Sequence, residues 1–133
     1  TGSAGAVADI AKITPDMAIA VDVSFADGFD IDKEKCGKLG GGVMVGLSPV
    51  LNRNLFKQML KIAQEKNIKY QTEIMGGRTG TDADVVAMSK NGIKTALLSI
   101  PQRYMHTPCE VVSINDVKTV IDLIYEFAKE ASV

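Results

Sequence analysis

Thr95-Ala96-Leu97-Leu98-Ser99-Ile100 is the stretch that decides the fold, because these residues form a mostly apolar run of strand length. Such a run is typical of a strand that is covered on both faces. Pro101 follows at once and is predicted to end the strand. A second run, Met17-Ala18-Ile19-Ala20-Val21-Asp22-Val23, has the same character and predicts another covered strand.

Shorter strand-like and helical segments alternate around these two runs. Residues 43–45 and 70–74 are predicted as further strands. Residues 3–13 indicate a short helix. Asn52 is predicted to cap a second helix, with Asn67 as its left-handed stop.

Two more helices are predicted in the second half of the chain. Thr81 or Asp82 caps a helix that is expected to end at Asn91-Gly92. Residues 113–116 resemble a capping box at the start of the last helix. The apolar residues of that helix form one predicted stripe, which consists of Val117, Val120, Ile121, Ile124, Phe127 and Ala128.

Strands that alternate with helices of this length predict βαβ units. We therefore predict an α/β domain of three layers, in which helices cover both faces of a mainly parallel sheet. No internal repeat, low-complexity tract or interdomain linker divides residues 1–133. Fold class alone does not indicate the chemistry.

The composition excludes several classes of function. The formal net charge is −1, so neither nucleic acid nor an anionic membrane is expected as a partner. Cys36 and Cys109 are too few for a disulfide framework and lack zinc-site spacing, which favours a reducing, cytoplasmic location. No apolar run reaches transmembrane length, and no signal-like segment opens the chain.

Two residues capable of metal binding lie in or just after the two long predicted strands. His106 is the only histidine and lies in an irregular stretch after residues 95–100. Asp22 interrupts the other apolar run, where an ionised carboxylate is costly unless it is paired, hydrogen-bonded or metal-bound. Open α/β sheets collect ligands at the carboxyl ends of their strands, so both residues are candidates. A surface-loop histidine and a turn-capping aspartate are the plainer alternatives.

Residues 26–42 are polar and glycine-bearing, and they predict an irregular loop. Asp27, Asp30 and Asp32 lie in this loop. Their spacing lacks the central glycine and terminal glutamate of a calcium loop, so a solvated acidic loop is favoured over a calcium site.

Two glycine-rich stretches are candidate substrate-binding turns. Gly40 and Gly41 indicate a close approach of the backbone to a neighbouring group, with substrate as one candidate. Gly80 and Thr81 lie in a turn that feeds a helix and could present amides to an anion. Neither stretch has the spacing of a phosphate-binding loop or a dinucleotide fingerprint, so ordinary turn chemistry is the alternative.

Four motifs occur in the order found in one known family. They are AIAVDVSFAD at residues 18–27, LGGG at 39–42, GTDA at 80–83 and IPQRYMHTP at 100–108. Together they resemble the carboxyl-terminal part of the tetrahedral aminopeptidases, the glutamyl and deblocking aminopeptidases often labelled endoglucanase M. The resemblance extends over almost the whole chain, although Ser24 stands where threonine is usual.

The resemblance implies a metal-dependent aminopeptidase that removes amino-terminal residues from peptides. Members of the family hold two divalent ions, zinc or cobalt, which polarise the peptide carbonyl and deprotonate a water. Asp22 and His106 match two of the family's metal ligands, each serving a different ion. The resemblance also implies a zinc-peptidase-like catalytic domain.

The other site residues of the family are expected outside this sequence. The general-base glutamate would lie upstream of Thr1, so no catalytic residue is assigned here, and the first histidine and bridging aspartate are missing as well. We therefore expect residues 1–133 to be the carboxyl-terminal segment of a metalloaminopeptidase catalytic domain, inactive in isolation. The full-length protein is expected to be a homo-oligomer that acts on peptides.

Two other functions remain open at this point. The chain could be a non-catalytic α/β module or a truncated assembly subunit, and the presence of the missing ligands upstream of Thr1 would discriminate. Endoglucanase activity rests only on the family label and requires two carboxylates that flank a sugar cleft.

Overall fold

The computed structural model of the protein describes residues 2–28, 31 and 36–131. Within these ranges the helices and strands follow one another as α1 (Ala4–Lys12), β1 (Met17–Phe25), β2 (Val43–Leu47), α2 (Arg53–Glu65), β3 (Tyr70–Ile74), α3 (Asp82–Ala87), β4 (Lys94–Arg103), β5 (Val111–Val112) and α4 (Ile114–Ala131). No helix in the described part of the chain combines the length and the apolar character needed to cross a bilayer.

The strands form one sheet in the order β1-β4-β2-β3, with β5 beside β4. β1 is parallel to β4, and β2 is parallel to β3. The two strands predicted at residues 17–23 and 95–100 are therefore parallel neighbours, as expected for a mainly parallel sheet. The two parallel pairs meet antiparallel between β2 and β4, so the sheet is mixed, a feature that the strand and helix pattern did not reveal.

Helices cover both faces of the sheet, which confirms the predicted α/β fold with its three layers. α2 and α4 pack on one face, whereas α3 contacts β1 and β4 on the other and α1 packs against α3. Successive side chains of β4 point to opposite faces of the sheet. Leu98 therefore packs in the core with α2 and α4, whereas Leu97 packs in the cluster beside α3. Burial on both faces explains the continuous apolar run of this strand.

Local signals locate the ends of α2 as predicted. The Asn52 side chain accepts hydrogen bonds from the amides of Asn54 and Leu55 and caps the helix. At the other end, Asn67 adopts a left-handed φ of 54°. The amide of Ile68 then donates to the carbonyl of Ala63, which closes the turn into β3.

Three predictions about the ends of elements and the covering of strands were wrong. The helix capped by Thr81 ends at Ala87 rather than at Asn91-Gly92, because the chain turns back early and the Ile93 amide donates to the Ala87 carbonyl. Pro101 lies inside β4 instead of ending it. β2 pairs with β4 only at Leu98 and Ser99. Because this pairing does not reach Pro101, β2 does not require a hydrogen bond from the amide that proline lacks.

The third correction concerns β1, which was predicted to be covered on both faces. It is an edge strand, and its apolar residues Met17, Val21 and Phe25 are 41–48% exposed. No strand among the described residues pairs with its outer edge.

The glycines at 40–42 approach the protein's own backbone and side chains. Gly42 has φ +89°, and a Cβ there would lie 2.1 Å from the Lys69 carbonyl oxygen. A Cβ on Gly41 would overlap the Gln71 side chain. The buried Asp116 carboxylate accepts the amides of Gly40 and Gly42 at 2.7 and 2.8 Å, so this stretch joins α4 to the sheet.

Substitution of Gly42 should therefore be far more costly than substitution of Gly40. Both glycines have positive φ, but a Cβ on Gly40 meets nothing within 4 Å. We expect Gly40→Ala to lower the free energy of unfolding by about 1–2 kcal/mol through backbone strain alone. Gly42→Ala should cost at least about 2 kcal/mol more, because the backbone must also move away from Lys69. If urea denaturation gave equal losses of unfolding free energy for the two variants, the close approach of Gly42 to Lys69 would be contradicted.

Candidate functional site

An open cleft of about 420 Å³ lies where β1 and β4 end. Asp22 and His106 both line this cleft, as do Gly80 and Thr81. Four of the residues singled out in the sequence are thus brought to one place.

The parallel register of β1 and β4 explains this convergence. Asp22 lies opposite Ser99 in that register. β4 ends at Arg103, and the following turn carries His106 back to the cleft. The carboxyl ends of parallel strands meet at one sheet edge, which is where α/β proteins collect ligands.

A third carboxylate, that of Glu73, lies on the floor of the cleft. Its Oε2 accepts the Ser99 hydroxyl at 2.7 Å, and its Oε1 accepts the Ser24 hydroxyl. Glu73 lies opposite Gly46 of β2 in the sheet register, and its side chain reaches across to Ser99 of β4. Sequence reasoning did not single out Glu73 or Ser99, although both are polar residues within predicted strands.

One wall of the cleft is a turn held by Asp84. This carboxylate accepts the amide and the hydroxyl of Thr79, both at 2.9 Å, and the amide of Gly80 at 3.0 Å. Burial by itself raises the pKa of Asp84, but these hydrogen bonds outweigh it and hold the pKa below its ordinary value of 3.8. The turn that presents Gly80 and Thr81 is therefore fixed by a buried, ionised aspartate.

The turn that carries His106 contains strained backbone. Tyr104 and His106 have positive φ values of 58° and 66°. Residues other than glycine reach this region at a cost of about 1–3 kcal/mol each and persist where neighbours hold them. Thr107 donates its amide and its hydroxyl to the Tyr104 carbonyl, and the His106 amide donates to Glu110 Oε1.

The remaining predicted residues lie elsewhere. Gly40 and Gly41 do not line the cleft; they belong to the glycine stretch that contacts Asp116 and Gln71. Their role in substrate binding stays a prediction without support from this geometry.

Of the three loop aspartates, only Asp27 lies among the described residues; Asp30 and Asp32 lie outside them. The Leu39 amide and the Arg103 guanidinium hydrogen-bond to the Asp27 carboxylate and lower its pKa. The Asp27 carboxylate therefore accepts its hydrogen bonds from groups of the protein itself.

The donor set of the cleft fits part of a metal site. Across residues 2–28, 31 and 36–131, no three His, Cys, Asp or Glu side chains are close enough to hold one ion together. The Asp22 carboxylate and the His106 imidazole are nevertheless donor types that zinc and cobalt accept. Each can serve as one ligand of a larger set.

The structure defines an α/β protein with an open cleft at one edge of its sheet, and comparison with known proteins identifies the family. Residues 1–123 match the family described as M42 glutamyl aminopeptidase. The chain belongs to this family. The tetrahedral aminopeptidase resemblance seen in the sequence motifs is confirmed.

Three relatives illustrate the similarity. The lysyl aminopeptidase of Pyrococcus furiosus is 35% identical over 118 residues, covering 89% of this chain and 34% of the relative. The aminopeptidase APDkam598 of Desulfurococcus kamchatkensis is 32% identical with a TM-score of 0.87, covering 95% of this chain and 37% of that one. The TET1 peptidase of Pyrococcus horikoshii is 28% identical with a TM-score of 0.73, covering 96% and 37% respectively. The chain thus spans a little more than a third of the length of these relatives.

Neutralising Asp84 should destabilise the fold in a pH-dependent manner. The pKa of Asp84 is lower in the folded protein than in the unfolded chain. The ionised carboxylate therefore stabilises the fold at pH values above the unfolded pKa. This stabilisation is lost as the pH falls through the folded pKa. We expect Asp84→Asn to reduce the free energy of unfolding at pH 7 by about 1–3 kcal/mol. The difference from wild type should persist down to about pH 5 and narrow below about pH 4.

Asp82→Asn is the matched control, because Asp82 is an exposed aspartate in the first turn of the same helix. Its neutralisation should cost less than about 1 kcal/mol. Denaturant unfolding of wild type and both variants from pH 3 to pH 7 measures these differences. A pH-independent loss for Asp84→Asn would refute the electrostatic explanation.

Proposed function

We propose that the full-length protein containing this chain is a two-metal aminopeptidase, to which Asp22 and His106 each contribute one metal ligand. The observation that carries the proposal is their convergence on one cleft at the carboxyl edge of β1 and β4. Membership of the M42 family supports it independently. Zinc or cobalt fits a carboxylate and an imidazole donor.

The cleft suits the end of a peptide in size and polarity. Its volume of about 420 Å³ falls within the usual range of ligand sites. The Val23 amide donates to Asp22 Oδ1 at 2.8 Å, which orients the carboxylate at the strand exit. Glu110 similarly accepts a hydrogen bond from the His106 backbone, and the turn of Gly80 and Thr81 lines the cleft into which a peptide would bind.

Asp22 and His106 would each hold one such ion, and the chemistry that the ions would supply when bound is polarisation of a peptide carbonyl and activation of a water. The chain's own residues would hold and orient these ions rather than transfer protons. We infer that the general base and the other ligands come from a part of the protein beyond this chain. The chain covers little more than a third of the length of its relatives, which supports that inference.

Endoglucanase activity is less well supported by the same geometry. Asp22 and Glu73 are two carboxylates in one cleft, as glycoside hydrolysis requires. Both oxygens of Glu73, however, accept serine hydroxyls. Glu73 is thus tied to the strands and is poorly placed to exchange a proton with substrate.

Assembly and location complete the proposal. The TET1 peptidase of Pyrococcus horikoshii can assemble into a tetrahedron or a large octahedral shell. We propose that the full-length protein is likewise a homo-oligomer. Cys36 and Cys109 are free thiols, which supports a reducing compartment such as the cytoplasm.

Assays of amino-acid release test the proposal directly. The isolated 133-residue chain should not hydrolyse aminoacyl-p-nitroanilides, even with added zinc or cobalt, because it holds an incomplete ligand set. The full-length natural protein should do so, lose the activity to a chelator and regain it with either metal. In that protein, His106→Ala and Asp22→Ala should each lower kcat by about 100-fold or more.

Arg103→Ala is the control variant. Arg103 belongs to the same strand-to-turn segment but pairs with Asp27 and does not line the cleft. Its loss should change kcat by less than about tenfold. Robust turnover by the isolated chain, or normal turnover by the full-length His106→Ala variant, would show that the site is built from other residues.

A further inference from the structure

We infer that Glu110 is a positioning residue, which holds His106 in the conformation that presents its ring to the cleft. This inference rests on the proposed function, because it assigns Glu110 a role in metal binding through His106. The direct contact is the hydrogen bond from the His106 backbone amide to Glu110 Oε1, at 2.8 Å. Glu110 itself does not line the cleft.

His106 requires such support because its backbone is left-handed. Its φ of 66° is a conformation that L-residues adopt rarely, and Tyr104 two residues earlier has a φ of 58°. Between them, Met105 lines both the cleft and a smaller neighbouring cavity of about 190 Å³. Tyr104 also lines the smaller cavity, whereas His106 lines the cleft.

Core packing does not impose this conformation. His106, Thr107 and Glu110 are all exposed, so burial contributes little to the geometry of the turn. Local hydrogen bonds remain as the physical restraint. Thr107 secures the Tyr104 carbonyl, whereas Glu110 is bonded to His106 itself.

Loss of the Glu110 acceptor should therefore free His106 to relax toward negative φ. A change of that kind rotates the Cα–Cβ bond and moves the imidazole away from its partner ligands. Residues that orient a metal ligand typically alter affinity or activity by about 10- to 100-fold when they are removed. Because Glu110 acts through one solvent-exposed hydrogen bond, we expect an effect near the lower end of that range.

The experiment compares cobalt binding and turnover in full-length variants. The apo-protein is titrated with Co²⁺ and followed by its visible absorption, and kcat and KM are measured on an aminoacyl-p-nitroanilide. Glu110→Ala should weaken Co²⁺ binding about tenfold and lower kcat with little change in KM. Glu110→Gln keeps an acceptor oxygen and should stay within about threefold of wild type in both measurements.

Glu65→Ala controls for charge, since it removes an exposed carboxylate from α2 on the other side of the sheet. It should leave both measurements unchanged. If Glu110→Gln matches Glu110→Ala, the carboxylate acts through its charge and the positioning role is overturned. Wild-type cobalt affinity in Glu110→Ala would overturn it as well.

The variant His106→Ala separates this inference from the proposed function. In the His106→Ala background, Glu110→Ala should have no further effect on Co²⁺ binding, because no imidazole remains to be positioned. A further loss of similar size would mean that Glu110 acts elsewhere. If His106→Ala itself leaves Co²⁺ binding and turnover intact, the metal-site proposal fails, whatever the behaviour of Glu110.

Discussion

The parallel pairing of β1 with β4 is the constraint on which the candidate site depends. The two strands keep one register from Met17 opposite Lys94 to Phe25 opposite Gln102, so they leave the sheet at the same edge. This register fixes Asp22 beside Ser99 and lets the turn after β4 bring His106 to the same cleft. A slip of one residue would turn every side chain of β1 to the other face. Packing of the apolar strand faces therefore also determines the geometry of the polar site.

The other carboxylates near this edge mainly serve the protein's own structure. Asp84 binds the amides of the turn at Thr79 and Gly80, and Glu73 receives two serine hydroxyls. A carboxylate that is removed from solvent on folding needs hydrogen-bond donors, because an unpaired buried charge is costly. These bonds join three strands and one turn around the cleft. Asp22 and His106 are thereby presented on a framework that is held by other charged groups.

The described part of the chain leaves one side of β1 exposed. β1 has the composition of an interior strand, yet Met17, Val21 and Phe25 are partly exposed along the sheet edge. Long apolar edges promote unwanted strand pairing, and natural proteins usually protect them. The matched relatives are about two and a half times as long as this chain.

Local signals in the sequence determined α2 with its Asn52 cap and the strands predicted at 70–74 and 95–100, because each depends on short-range patterning or capping. The motifs also singled out Asp22 and His106. Only the tertiary structure decided which apolar residues of α4 are buried: Leu123 is fully buried, whereas Ile121 of the predicted stripe is 60% exposed. The tertiary structure also decided that Glu73 accepts hydrogen bonds from Ser24 and Ser99. It likewise decided that the glycines at 40–42 contact Asp116 and Lys69. Such contacts depend on strand order and on the antiparallel meeting of β2 with β4, and residues so far apart in sequence carry no local signal of them.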